Sequence, residues 1–219
     1  MILGIYGSGG AGKEVFDLLQ ESPKVRALWQ EAVFIDDTVE AGEFWGLRRF
    51  PFADFRKIFA PEEVRIVIAV GEPKNREMLY ERVKAAGYSL ATLVHDTAIV
   101  SEGVKLGEGV VLQEGVRVSA EAELGENTFV NHRAMIGHNT RIGKHCQISA
   151  SVMIAGKVSI GDVVFAGVSC CMRDRIAVGS HSILSMGAVV LKDVRPHRIV
   201  LGNPAREIAE NKEERVFSD

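Results

Sequence analysis

The sequence predicts two architectures in series: a small parallel α/β sheet over residues 1–95, then a parallel β-helix over residues 96–195. Three observations carry this. The first 94 residues alternate strand-like and helix-like patterns, as a parallel sheet with crossover helices requires. From Thr97 the apolar residues recur every six positions, a period of neither α-helix nor hairpin. A second column, four residues after the first, holds only small or β-branched types or cysteine.

Ile2 to Tyr6 is an apolar run ending in glycines and reads as a first strand. It is too short and too glycine-rich for a signal peptide. Lys13 to Gln20 has helical spacing, and Ala32 to Ile35 is a short strand ending at Asp36-Asp37. Arg65 to Val70 is a continuous apolar run, typical of a strand buried on both faces. Asn75 to Ala86 reads as a helix and Leu90 to Val94 as a further strand.

In the six-residue register from Val100 to Val190, fourteen of sixteen positions are Val, Ile or Leu, which makes repetition the explanation. The second column runs from Val104 to Val194. A short strand and a corner, three times over, close a triangular coil of about eighteen residues, and stacked coils fill a prism with aliphatic side chains. Gly107, Gly125, Gly137 and Gly143 fall near corners, where glycine relieves backbone strain. After Gly202-Asn203-Pro204, residues 205–216 read as a C-terminal helix, within a closing segment of residues 196–219.

The formal charge is −3, from 26 basic and 29 acidic residues, which argues against a nucleic-acid binder. No apolar run approaches the roughly 18 residues of a membrane span. Three cysteines, badly spaced for a disulfide framework or a zinc knuckle, point to a reducing cytoplasm. Cys170 is expected inward, as core.

Counting in eighteens places His138 beside Ala120 and Gly156, with open space around the ring. A neutral imidazole is the best general base near pH 7. His132 lies on another edge, stacked with Ala150, Val168 and Met186, and is the runner-up. Separate edges disfavour a metal shared by the two, so none is expected. His145, His181 and His197 read as surface residues. The loop Gly7-Ser8-Gly9-Gly10-Ala11-Gly12 follows a strand and opens a helix, so its backbone N–H groups can cradle a phosphate.

The chain resembles the left-handed hexapeptide-repeat acyltransferases. Among them it is similar to the bacterial amino-sugar N-acetyltransferases of glycan pathways, their perosamine-acetylating relatives and the sialic-acid O-acetyltransferases. The resemblance rests on YGSGGAGKEV, FIDD, IAVGEPKNR, MIGHNTRIG, SVMIAGKVSIGD and LGNPAR, in that order. It implies a left-handed prism, a Rossmann-like first domain and acetyl-CoA as co-substrate, with His138 taking a proton from the acceptor. The family usually has Asp or Glu next, where this chain has Asn139, and some members have His where it has Gln147. It places acetyl-CoA contacts at Gln147, Gly156, Val168 and Met186. It places the nucleotide of a nucleotide-linked sugar at Gly9, Gly10, Ala11, Asp36, Asp37 and Gly71, with Ala11 where the family usually has His. A cofactor touching both prism edges implies a homotrimer with sites between subunits.

The function expected is acetylation of the amine of a nucleotide-linked deoxyamino sugar, such as a 4-amino-4,6-dideoxyhexose, in surface glycan biosynthesis. The alternatives are a sialic-acid O-acetyltransferase, a catalytically silent trimeric scaffold, and a metal-dependent lyase built on converging histidines.

Overall fold

The computed structural model describes residues 1–217. The first domain is a six-stranded sheet, with β1 Ile2–Tyr6, β2 Glu31–Ile35, β3 Gly42–Phe44, β4 Leu47–Phe50, β5 Val64–Ile68 and β6 Ser89–Leu90 in the order β3-β4-β2-β1-β5-β6. All its pairings are parallel except β3–β4. Helices α1 Gly10–Glu21, α2 Pro23–Arg26, α3 Phe52–Ile58 and α4 Pro73–Ala85 supply the connections. The central strands β1 and β5 are almost wholly buried, as their unbroken apolar runs require.

Two glycines of the first loop are dictated by close approach. A Cβ on Gly7, at φ +112°, would stand 2.4 Å from the Ala69 carbonyl oxygen, and one on Gly12 would stand 2.1 Å from the Gly7 oxygen. The loop is therefore pressed against the end of β5, and α1 starts on top of it. Gly9 and Gly10 have nothing within 4 Å and leave open space.

The second domain is a triangular prism of three parallel sheets. Its first face stacks strands from Leu93–Val94 to Ile183–Leu184, its second from Ile99–Val100 to Val189–Val190, and its third from Lys105–Leu106 to Ala177–Val178. Partners stand eighteen residues apart, as in Arg117↔Met135 and Met135↔Met153. Both six-residue columns point inward and are buried from Val110 onward, Cys146 and Cys170 included. Val100 is exposed because the prism begins there and no coil covers it.

Three sequence expectations are corrected. Leu93–Val94, read as part of the α/β sheet, is the first strand of the prism, because Val111–Leu112 one coil later supplies its partner. The corner glycines do not relieve positive φ. The left-handed positions are a different column, occupied by Glu121, Asn127, Asn139, Val163 and others at φ 56–61°. A Cβ on Gly137 would instead stand 2.4 Å from the Ala155 carbonyl carbon, so these glycines let successive coils stack. Residues 205–216 form no helix: Arg198–Leu201 joins the first face as its last parallel strand, and Arg206–Glu210 pairs antiparallel with it. The last strand would otherwise present a bare edge, and Arg206–Glu210 is exposed throughout, with no apolar stripe for a helix to bury.

One core spans the two domains. Leu93, Val111 and Phe129 of the first face pack with Leu3, Val15 and Leu18. Arg76 of α4, fully buried, donates to the carbonyl oxygens of Ile68 (2.7 Å), Val70 (3.0 Å) and Asn127 (2.6 Å) and to Asn127 Oδ1 (2.8 Å). Its planar fork ties β5 and α4 to the corner between the third and first faces.

Candidate active site

The residues expected to hold a nucleotide line one cleft of about 430 Å³. Gly9, Gly10 and Ala11 open α1, Asp36 and Asp37 follow β2, and Gly71 follows β5, so three parallel strand ends meet there. Helix α1 has no side-chain cap, which leaves its first-turn N–H groups without that partner. Asp36 accepts from Ser8 N (2.8 Å) and Oγ (2.6 Å) and from Thr38 N (2.9 Å) and Oγ1 (2.6 Å). Burial raises its carboxyl, and these four bonds together outweigh it, so the group sits below the usual carboxylate range. Asp37 accepts from Phe52 N, Tyr6 OH and Arg82, which ties three elements to the cleft wall. Burial and the Asp37 hydrogen bond push the Tyr6 phenol upward.

A second cavity, of about 520 Å³, adjoins the first at Gly10, Ala11 and Gly71. It lies between α1 and the first face and is also lined by Gln147, Val168, His132 and Phe217. Phe217 arrives on a C-terminal strap. The Asn211 side chain donates to the His181 carbonyl, Glu214 pairs with Lys74 at 3.1 Å, and Val216 and Phe217 N–H donate to Glu72. The Phe217 ring packs edge-on against Phe165 at 5.6 Å.

The polarity of Gln147 is set from outside. Glu14, a pure acceptor, takes Asn131 Nδ2 at 2.8 Å, which turns Asn131 Oδ1 toward Gln147 Nε2 at 2.5 Å. The remaining Gln147 atom, Oε1, is buried and has no hydrogen-bond partner. Gln147 thus lines the cavity with its Nε2 held by Asn131 and its oxygen buried.

Val168 and Met186 stack on the corner between the first and second faces, with Gly187 N–H donating to the Val168 carbonyl, and both side chains are exposed. His132 shares that corner, one residue before the left-handed position. His138 occupies the corner between the second and third faces, opposite the first face. It does not line either cavity. A Cβ on Gly156 would stand 2.6 Å from its Nε2 and 2.8 Å from its Cε1, so the imidazole lies over the bare glycine. Its Nδ1 stands 2.9 Å from Asn139 Oδ1.

Three histidines read as surface residues are structural. His145 is buried against the Tyr80 ring at 4.8 Å, with Nδ1 3.0 Å from Asn127 Nδ2, and burial pushes its pKa down. His181 and His197 stack face to face at 4.7 Å. With Glu214 they bring ligand atoms within 4.8 Å of one another, far along the prism from His138. Lys74 holds the other Glu214 oxygen, and the cluster anchors the strap.

Residues 3–83 match the family model of the PglD N-terminal domain, and residues 121–156 match that of the bacterial transferase hexapeptide of six repeats. The acetyltransferase domain of PglB from Neisseria gonorrhoeae FA1090 is 29% identical, with a TM-score of 0.87 over 94% of this chain and 99% of that one. A variant of perosamine N-acetyltransferase from Caulobacter crescentus, in complex with CoA and GDP-perosamine, is 26% identical, with a TM-score of 0.88 over 96% and 98%. WeeI from Acinetobacter baumannii AYE is 26% identical, with a TM-score of 0.88 over 95% and 100%. The prism is thus the left-handed parallel β-helix, and the chain joins a match to the PglD N-terminal domain to bacterial transferase hexapeptide repeats, an arrangement similar over nearly the whole chain to these sugar acetyltransferases.

Proposed function

We propose that this acyltransferase moves the acetyl group of acetyl-CoA to the amine of a nucleotide-linked deoxyamino sugar, in a ternary complex with His138 as general base. The single observation that carries the reading is the placement of a free imidazole edge over Gly156, on a fold whose similar proteins include a perosamine N-acetyltransferase holding CoA and GDP-perosamine. The amine nitrogen attacks the thioester carbon while His138 Nε2 takes its proton. The new N–C bond forms, the C–S bond breaks, and the proton passes to the departing CoA thiolate. Backbone N–H groups are the oxyanion donors in this reading, since the Gln147 Nε2 is held by Asn131. The glycine loop and α1 take the nucleotide phosphates. Acetyl-CoA lies along the edge of Val168 and Met186, reaching Gly156. The product serves a surface-glycan pathway in the cytoplasm.

The active unit is a homotrimer. His138 sits opposite the face that lines the second cavity, and the cleft adjoins that cavity, so in this reading base and cleft meet when another copy brings its corner. Met135 and Met153, stacked and exposed on the second face, lie between the His138 and Met186 corners and give that contact an apolar centre. No helix among the described residues is long and apolar enough to cross a membrane.

The test is acetyl-CoA turnover with UDP-, GDP- and dTDP-linked 4-amino sugars against free sialic acid. His138→Ala should reduce turnover with the amino sugar by about a hundredfold or more. Unchanged turnover in that variant would overturn the assignment. Preference for sialic acid would move the acceptor from an amine to a hydroxyl.

A further inference from the structure

The base lacks the adjacent carboxylate usual among the acetyltransferases this chain resembles, yet a carboxylate stands one coil away. Glu121 and Asn139 are eighteen residues apart, both at left-handed corner positions, with φ of 59° and 58°. The Asn139 backbone N–H is bonded one coil back, to the Ala120 carbonyl at 3.0 Å. Stacked corners project their side chains in parallel, and Asn139 Nδ2 donates to Glu121 Oε2. Asn139 Oδ1 then faces His138 Nδ1 at 2.9 Å.

We propose that Glu121 is a positioning residue for the base, acting through Asn139 as a three-membered Glu-Asn-His relay. This inference rests on His138 being the base. The logic is one of donors and acceptors. An ionised carboxylate only accepts, so Asn139 must turn its NH2 toward Glu121 and its carbonyl toward the ring. A carbonyl only accepts, so His138 Nδ1 must carry the proton. Nε2, over Gly156, is then the bare nitrogen that can take a proton from the acceptor. When Nε2 does so, the imidazolium charge is met by an anion through a polarised amide rather than by direct contact. Glu121 thus sets the amide orientation and the tautomer, and supplies the compensating charge. His132, the runner-up base, has Arg133 in the following left-handed position, which cannot accept a hydrogen bond from a ring.

The test uses Glu121→Gln, Asn139→Asp and their combination. Gln at 121 can present either end of its amide, so Asn139 is free to turn and the proton to move to Nε2. Glu121→Gln should lower kcat about tenfold, with KM for both substrates and thermal stability unchanged. In the Asn139→Asp background, where the carboxylate touches the ring directly, the same change should leave kcat unchanged or raise it, since two facing carboxylates are replaced by a donor and an acceptor. A second readout needs no turnover. In the resting full-length protein near pH 8.5, ¹⁵N shifts should report a protonated Nδ1 on His138, and a mixture of tautomers in Glu121→Gln. Equal effects of Glu121→Gln in both backgrounds, or an unchanged tautomer, would overturn the relay. Full activity in His138→Ala would instead overturn the base itself.

Discussion

Replacing Gly156 by Ala adds one methyl group at the most sensitive distance in the candidate site. The new Cβ would lie 2.6 Å from His138 Nε2 and 2.8 Å from Cε1. Ordinary carbon–heavy-atom contact begins near 3.4 Å, so the ring edge must retreat by about 0.8 Å. It cannot do so freely, because Nδ1 is tethered to Asn139. A displacement of roughly 1 Å in a reacting group costs on the order of a hundredfold in rate. Gly156 needs no left-handed backbone, so Ala should shift stability by less than about 1 kcal/mol. The assay is release of the CoA thiol, followed with a chromogenic disulfide, alongside thermal melting. The account predicts a kcat on the order of a hundredfold lower with the melting temperature retained. Gly137→Ala supplies the contrast: its Cβ would strike the backbone of the next coil at 2.4 Å, so stability falls first. A Gly156→Ala enzyme with wild-type kcat, or one in which only KM for acetyl-CoA rises, would refute the reasoning.

Two further predictions concern the second cavity and the strap. Gln147→Leu should lower kcat less than about tenfold, because the amide nitrogen is already held by Asn131. A loss nearer a hundredfold, the usual cost of an oxyanion donor, would mean that the amide donates. At the strap, burial alone would raise the Glu214 carboxyl, but the Lys74 hydrogen bond and the His181 charge outweigh it and hold the group below the usual range. A depressed carboxyl contributes stability that is present above its unfolded value, about 4.3, and lost as pH falls through the lower folded value. Amide exchange at Val216 and Phe217, taken relative to the intrinsic rate at each pH, should therefore rise as the pH drops below about 4.3 in wild type. Glu214→Gln should show faster exchange already at neutral pH and lose less on acidification. Identical profiles for the two proteins would exclude Glu214 as the anchor.

The prism was legible because its code is strict and local. Each hexad repeats the same inward pair, and one step of eighteen residues predicts every neighbour, including His138 beside Gly156. The six residues expected to hold a nucleotide also gather in one cleft, because strand ends of a parallel sheet converge whatever their spacing in the chain. Arg76 was not legible: one of four cations in a polar helix, it has no periodicity to mark it as the fully buried tie between domains. Residues 205–216 misled because helical propensity is weak beside an open strand edge. The corner glycines misled because stacking distance and backbone conformation both select glycine, and only coordinates separate the two. Glu121 was present in the numbering, eighteen before Asn139, but its meaning depends on which end of an amide faces it.

The central claim is that base and sugar cleft come from different copies of the chain. Two inactive variants test it when combined: His138→Ala, with an intact cleft, and Gly10→Trp, whose side chain would fill open space in the cleft. Co-expression with separate tags yields mixed trimers in random proportion. Each interface that takes its cleft from the first variant and its histidine from the second is whole, so equal mixing should restore about a quarter of wild-type activity. Mixed assemblies as inactive as either parent would contradict the account.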